Sequence, residues 1–231
     1  VLKAWEGEEG KDHPESVIEA IRYAEANGAQ ICNLSFGSGQ TSPEFEAAIR
    51  DSHMLFVAAA GNGNQYEIGY DIDRHPVYPA SFPYDNIITT GNLLFNGHLD
   101  ESSNYGQINV DLAAPELYPE HRTSDTYAYM TGTSMAAPMV TGAAALLYSG
   151  RPDLSLSDVK TALLSTVHKL APLKEKPLPA DAGCGGGYEV GKIIIYFQKN
   201  SLPAAGTHQK HRQPEGCFIL HMQFYPVIYT G

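Results

Sequence analysis

The sequence predicts an α/β fold: a mostly parallel, doubly wound sheet with helices on both faces, three layers in all. Three observations predict it. Helix-like and strand-like stretches alternate between Pro14 and Ala59, the strand-like stretches are short and almost wholly apolar, and each ends in a glycine-bearing loop. Alternation at this spacing implies right-handed crossovers between parallel strands. Strands apolar on both sides belong to a sheet covered on both faces. Ligands bind such sheets beyond the carboxyl ends of the strands, which directs attention to Phe36-Gly37 and Gly61-Asn62-Gly63.

Val1–Ala4 reads as the end of a strand, and the acidic, glycine-bearing Glu6–Asp12 as a surface turn. Asp12 and Glu15 flank Pro14 as at a helix start; Val17, Ile18, Ile21 and Ala24 then share one face, and Gly28 closes the helix. Ala29–Ser35 is a buried strand, Pro43–Ser52 a second helix with Phe45, Ala48 and Ile49 inward, and Met54–Ala59 the next strand. Gln65–Val77 is polar and reads as a surface excursion. Its Asp71 and Asp73 suit a solvated acidic loop better than a calcium site. Ile87–Thr90 is a strand, Leu93–Leu99 a hairpin turning on the two residues Asn96-Gly97, and Val110–Pro115 a further strand.

Next comes Thr131-Gly132-Thr133-Ser134-Met135-Ala136-Ala137-Pro138, with no charge from Met135 to Leu147. It predicts a tight turn delivering Ser134 to the first turn of a buried helix. Gly132 lets the backbone pass where a Cβ would collide, Thr133 is the expected N-cap, and Pro138 is tolerated only near a helix start. A helix apolar all round belongs in the core. A serine at its mouth sits among unpaired N–H groups at the positive end of the dipole, which suits a nucleophile whose reaction builds an oxyanion. Ser155 or Ser157 caps a last helix carrying Val159, Leu163, Leu164 and Val167. Pro172–Pro179 reads as a linker, giving one unit over 1–172 and a linker with an unassigned tail over 173–231. No catalytic motif appears in that tail. An added β segment and sequence foreign to the domain are both open readings of it.

The 231 residues suffice for one domain with a real core, and 43% hydrophobic against 18% charged residues indicate a globular chain. A net charge of −11 repels phosphate backbones and argues against nucleic acid as a partner. No apolar run reaches the ~18 residues of a membrane span. Cys32, Cys184 and Cys217 show no metal-ligand spacing; Cys32 falls in a core strand, and Cys184 and Cys217 can pair in an oxidising compartment. No metal site and no cofactor are expected, and the oligomeric state is left open.

The octet Thr131–Pro138 resembles the nucleophile motif of the subtilases, the subtilisin-like serine peptidases. The likeness runs over about residues 1 to 170, including Tyr78-Pro79-Ala80, Ser102–Gly106 and Val110–Pro115. It implies a subtilisin-like sheet and Ser134 as nucleophile. Ala58-Ala59-Ala60-Gly61-Asn62 resembles the family's oxyanion loop, which makes Asn62 a donor to the developing negative charge beside the Ser134 N–H. It also implies that Leu34, Ser35, Phe36 and Gly37, with Ala58, Ala59, Ala60 and Gly61, wall the pocket for the side chain before the scissile bond. A polypeptide substrate would then add as a strand beside Leu34–Gly37, and small walls imply tolerance of apolar or aromatic side chains. Met135 would lie against the nucleophile, open to oxidation. Tyr78–Pro79 is expected to be cis, a secreted or extracytoplasmic location is implied, and a structural calcium belongs to the family's complete domain. Glu116 departs from the family's glycine after Ala-Pro, so the next loop is expected to differ.

The family's aspartate, followed by Ser/Thr-Gly, and its His-Gly-Thr-His do not occur in the 231 residues. In the family both precede the segment resembling Val1–Gly37. The chain therefore reads as the carboxyl-terminal two-thirds of a catalytic domain, incomplete at the amino-terminal side of its sheet. Alone it is expected to be nearly inert, since triad members act as a unit. It is also expected to be poorly stable, with apolar edges left bare. The competing reading is a non-catalytic module that binds peptides.

Overall fold

The computed structural model describes residues 2, 4, 14–94, 96–115, 118–122, 126–168 and 218–222. Helix α1 (Pro14–Ala26) leads to strand β1 (Ala29–Leu34), α2 (Pro43–Arg50), β2 (Leu55–Ala59), β3 (Ile87–Leu93) and β4 (Leu112–Pro115). An antiparallel ribbon of β5 (Tyr118–Arg122) and β6 (Thr126–Met130) follows, then α3 (Thr133–Gly150), α4 (Leu156–Ser165) and β7 (Phe218–Met222). The main sheet has five strands in the order β4-β3-β2-β1-β7, every neighbouring pair parallel.

Strand alternation divides the core into two. Cys32, Leu34, Phe56 and Ala58 face α1 and α2, where they meet Val17, Ile18, Ile21, Phe45 and Ile49. Ile31, Leu55, Val57, Ala59 and Ile88 face α3 and α4, where they meet Ala136, Ala137, Val140, Ala144 and Val159. Strands with both faces buried need apolar residues at nearly every position, which is why β2 is Leu-Phe-Val-Ala-Ala and buried throughout. The predicted α1 face is inside, and Gly28 takes φ +80° after it. Tyr78–Pro79 is cis, as expected.

Several local expectations are corrected. The N-cap of α3 is Gly132, not Thr133. Helix α3 is not buried all round: among the described residues Leu146 is 62% exposed. Gln65–Val77 is not merely a solvated excursion, because Ile72 is fully buried and the half-buried Asp73 is engaged by backbone groups of another loop. Its carboxylate accepts backbone N–H groups of Gln107 (2.7 Å), Ile108 (3.0 Å) and Asn109 (2.9 Å), pinning one loop to another. The turn after Leu93 leaves three residues between the paired Leu94 and His98, not two; Gly97 takes φ +81° and donates to the Leu94 carbonyl. An extra residue in a left-handed position is the alternative hairpin solution. Ser155, not Ser157, caps α4, in a reciprocal box with Asp158.

The ribbon β5–β6 was not legible in the sequence, and β7 falls in the tail for which an added β segment was one of two open readings. The ribbon follows the Glu116 departure, and Glu116 itself lies outside the described residues. So do Cys184, Cys217 and the Pro172–Pro179 linker. Because β7 pairs with β1, the edge expected to be bare on that side is filled.

Candidate active site

The carboxyl ends of β1 and β2 and the amino end of α3 meet at one place. Gly132, at φ +136°, turns the chain into α3, and a Cβ there would lie 3.0 Å from Asn62 Nδ2. Glycine is needed both for the dihedral and for this close approach. Ser134 is the second helical residue and is half-buried. Its Oγ donates to the Ser35 carbonyl at 3.0 Å, and Ser35 Oγ donates back to the Ser134 carbonyl at 2.7 Å. The Ser134 N–H has no hydrogen-bond partner among the described residues, as expected of a helix's first turn.

Asn62 is exposed on the loop after β2. Its Oδ1 accepts from the Thr133 N–H at 2.8 Å and from Thr133 Oγ at 2.9 Å. With the oxygen held this way by the residue before Ser134, Nδ2 has no hydrogen-bond partner among the described residues. Thr133 Oγ also accepts from the Gly61 N–H at 3.1 Å, so one buried hydroxyl ties the loop to the helix.

Asn104 fixes the same loop from behind. It is 1% exposed; Nδ2 donates to the Ala60 carbonyl at 2.9 Å, and Oδ1 accepts from the N–H groups of Gly63 and Tyr70 at 3.1 Å each. A Cβ on Gly61 would come within 2.5 Å of Asn104 Nδ2. Behind Ser35, Asn33 Nδ2 donates to its Oγ at 2.8 Å, and Asn33 Oδ1 accepts from Thr141 Oγ at 2.8 Å. Sequence reasoning missed Asn33, Asn104, Thr141 and this use of Thr133. Asn104 had a signal, since it lies in a stretch carrying the resemblance.

Of the predicted pocket residues, Leu34, Ala58, Ala59 and Ala60 are buried in the two cores, so their side chains leave the wall and only their backbone bears on the site. Ser35 is 5% exposed and engaged with Ser134. Phe36, Gly37 and Gly61 reach the surface. The loop at Ser38 is braced by paired bonds with Tyr78, at 2.9 and 2.7 Å. Met135 is half-buried beside Ser134.

Among the described residues no imidazole or carboxylate is hydrogen-bonded to Ser134. His53, His75 and His98 are exposed in turns, as the sequence indicated. Burial pushes the Cys32 thiol far above its usual range and leaves it unreactive. No group of three His, Cys, Asp or Glu side chains among the described residues is placed to hold a metal ion. Among them, too, no helix is long and apolar enough to cross a membrane.

Residues 2–187 match the model of the subtilase family. Subtilisin DY of Bacillus licheniformis is 34% identical over 163 residues, which cover 67% of this chain and 56% of that protein. The major intracellular serine protease of Bacillus subtilis is 34% identical over 153 residues, or 64% of this chain and 46% of that one. The solved structure of a cold adapted subtilisin-like serine proteinase superposes with a TM-score of 0.63 at 26% identity, covering 81% of this chain and 63% of that one. The chain thus spans about half the length of the curated relatives it matches.

Proposed function

The chain belongs to the subtilase family, and from that premise we propose that it supplies the nucleophile and the oxyanion donors of a serine endopeptidase. Ser134 Oγ attacks the scissile carbonyl as its proton passes to a base; the C–N bond then breaks, the amine leaves with that proton, and water hydrolyses the acyl-enzyme left on Ser134. Asn62 Nδ2 and the Ser134 N–H receive the charge that develops on the carbonyl oxygen. The observation that carries this reading is the locked carboxamide of Asn62: both of its acceptor contacts are to Thr133, the residue before Ser134, which leaves its donor end free.

The base and its orienting carboxylate lie outside the described residues in this reading. The Ser35 carbonyl now holds the Ser134 proton, and a peptide carbonyl is far too weak a base to take it. Without the base the chain is nearly inert, since losing one triad member costs on the order of 10⁴–10⁶ in kcat, magnitudes measured in a subtilisin. The substrate is a polypeptide lying extended beside Leu34–Gly37, its side chain before the scissile bond bounded by Phe36, Gly37 and Gly61. A structural calcium belongs to the complete domain in the same reading. Secretion rests on family likeness alone, and one relative is named as intracellular.

The test is fluorophosphonate labelling and casein hydrolysis by a chain that includes the coding sequence upstream of Val1. Labelling that Ser134→Ala abolishes is expected; labelling that survives the change means another nucleophile. Strong turnover by the 231 residues alone would show that a histidine within them serves as base. The second reading, a non-catalytic peptide-binding module, is favoured by the absence of any base at Ser134 among the described residues. An upstream sequence without Asp-Ser/Thr-Gly and His-Gly-Thr-His would select it.

A further inference from the structure

Strand β7 stands where the topology calls for a strand upstream of α1. Helices α1 and α2 pack on the same face of the sheet, since Val17, Ile21, Phe45 and Ile49 share one core with Leu34 and Phe56. Right-handed crossovers over one face of a parallel sheet all step in the same direction. The step through α2 goes from β1 to its neighbour β2. A strand entering β1 through α1 must therefore come from the side of β1 away from β2. That is the side on which β7 runs, parallel to β1, with Ala29 opposite Phe218 and Leu34 opposite Met222.

We infer that the outer edge of β1 is a strand-accepting surface for a parallel strand of the same polypeptide preceding α1, and that Phe218–Met222 fills it as a substitute, so that the two exclude one another. An unfilled edge would leave a row of N–H and C=O groups of a mostly buried strand without partners. Main-chain pairing supplies the affinity of an added strand and makes little demand on its sequence, so a segment from the far end of the chain can serve. Both occupants run parallel to β1, and both deliver the residues that follow them to its carboxyl end, beside Ser35. With β7 in place, a triad residue borne by such an upstream strand has no seat there. That consequence rests on the peptidase reading; the shared slot does not.

The test uses the full chain carrying Ile219→Pro and Leu220→Pro together. Adjacent residues of a strand aim their N–H groups to opposite sides, so one of the two removed groups faces β1. Hydrogen–deuterium exchange is read on residues 29–34, with β2 and β3 as references. The expected result is exchange in β1 faster by roughly tenfold or more, with β2 and β3 unchanged. A second copy of residues 216–223, placed ahead of Val1 in the double-proline chain, is then expected to restore the protection of β1, and the same graft bearing both prolines is not. Unchanged exchange in β1 would overturn the pairing, and a graft that leaves β1 open would overturn the slot. If the double-proline chain unfolds throughout, refolding by the graft supports the inference and failure to refold overturns it. No readout depends on catalysis, so an inactive protein leaves this inference standing, and an open β1 edge leaves the reading of Ser134 standing.

Discussion

Ser35 and Ser134 exchange hydrogen bonds in both directions, the hydroxyl of each donating to the carbonyl of the other, at 2.7 and 3.0 Å. One of the two repairs a defect. Pro138 lies inside α3 and has no N–H to offer the carbonyl four residues back, which is that of Ser134. Ser35 Oγ takes that place, oriented by Asn33 and, through it, by Thr141.

Ser35→Ala is accordingly expected to destabilise the chain by about 1–3 kcal/mol, the cost of orphaning a buried acceptor. Thr141→Val keeps the shape of the side chain and leaves Asn33 Oδ1 without its donor, with a loss of similar size. The double variant should lose less than the sum, because the two groups belong to one network. Urea unfolding of the four proteins checks this, and strict additivity would show the network to be uncoupled.

Asn62→Ala is expected to lower kcat of the active enzyme by about 10²–10³ with little change in KM, a magnitude measured for such a donor in a subtilisin. Thr133→Val removes one of the two bonds that hold the Asn62 oxygen and should fall between wild type and Asn62→Ala. Steady-state kinetics on a peptide substrate separates the cases. A rise in KM with kcat unchanged would place Asn62 in substrate binding instead.

Two glycines ten residues apart should respond with opposite sign. Gly132→Ala imposes a Cβ at φ +136° and drives it against Asn62, so stability falls by about 1–3 kcal/mol and fluorophosphonate labelling slows. Gly142 lies inside α3, and a methyl group added there would meet nothing within 4 Å, so Gly142→Ala should stabilise by up to about 1 kcal/mol. Thermal unfolding of both variants checks the contrast.

Cys32 is fully buried and its thiol is pushed up by that burial. In native buffer near neutral pH, peptide mapping after iodoacetamide treatment is expected to find it unmodified. Full modification should appear once denaturant is added. Rapid native labelling would mean that β1 opens readily.

Asp158 is held below the usual carboxylate range by hydrogen bonds from the Ser155 hydroxyl and Ser155 N–H. A group depressed on folding stabilises fully above its unfolded pKa and loses that contribution as pH falls through the folded one. The difference in melting temperature between wild type and Asp158→Asn should therefore be present at pH 6 and vanish below the carboxylate range. A difference that persists in strong acid would assign it to shape rather than charge.

The alternation of α1, β1, α2 and β2, the apolar character of the strands, and the likeness carried by Thr131–Pro138 and Gly61–Asn62 were all legible in the sequence. Each depends on residues close along the chain, where periodicity and backbone sterics act directly. Local signals did not decide which partner a polar group takes. Thr133 looks like an N-cap in isolation, yet its hydroxyl binds a loop 71 residues earlier, because the folded sheet brings β2 against the start of α3. The pocket residues Leu34, Ala59 and Ala60 carry the right names for a wall, but the pleat turns their side chains into the cores. Tertiary structure alone also set β7 beside β1. Strand pairing draws on main-chain groups common to every residue, so a sequence states that an edge can be filled without stating what fills it.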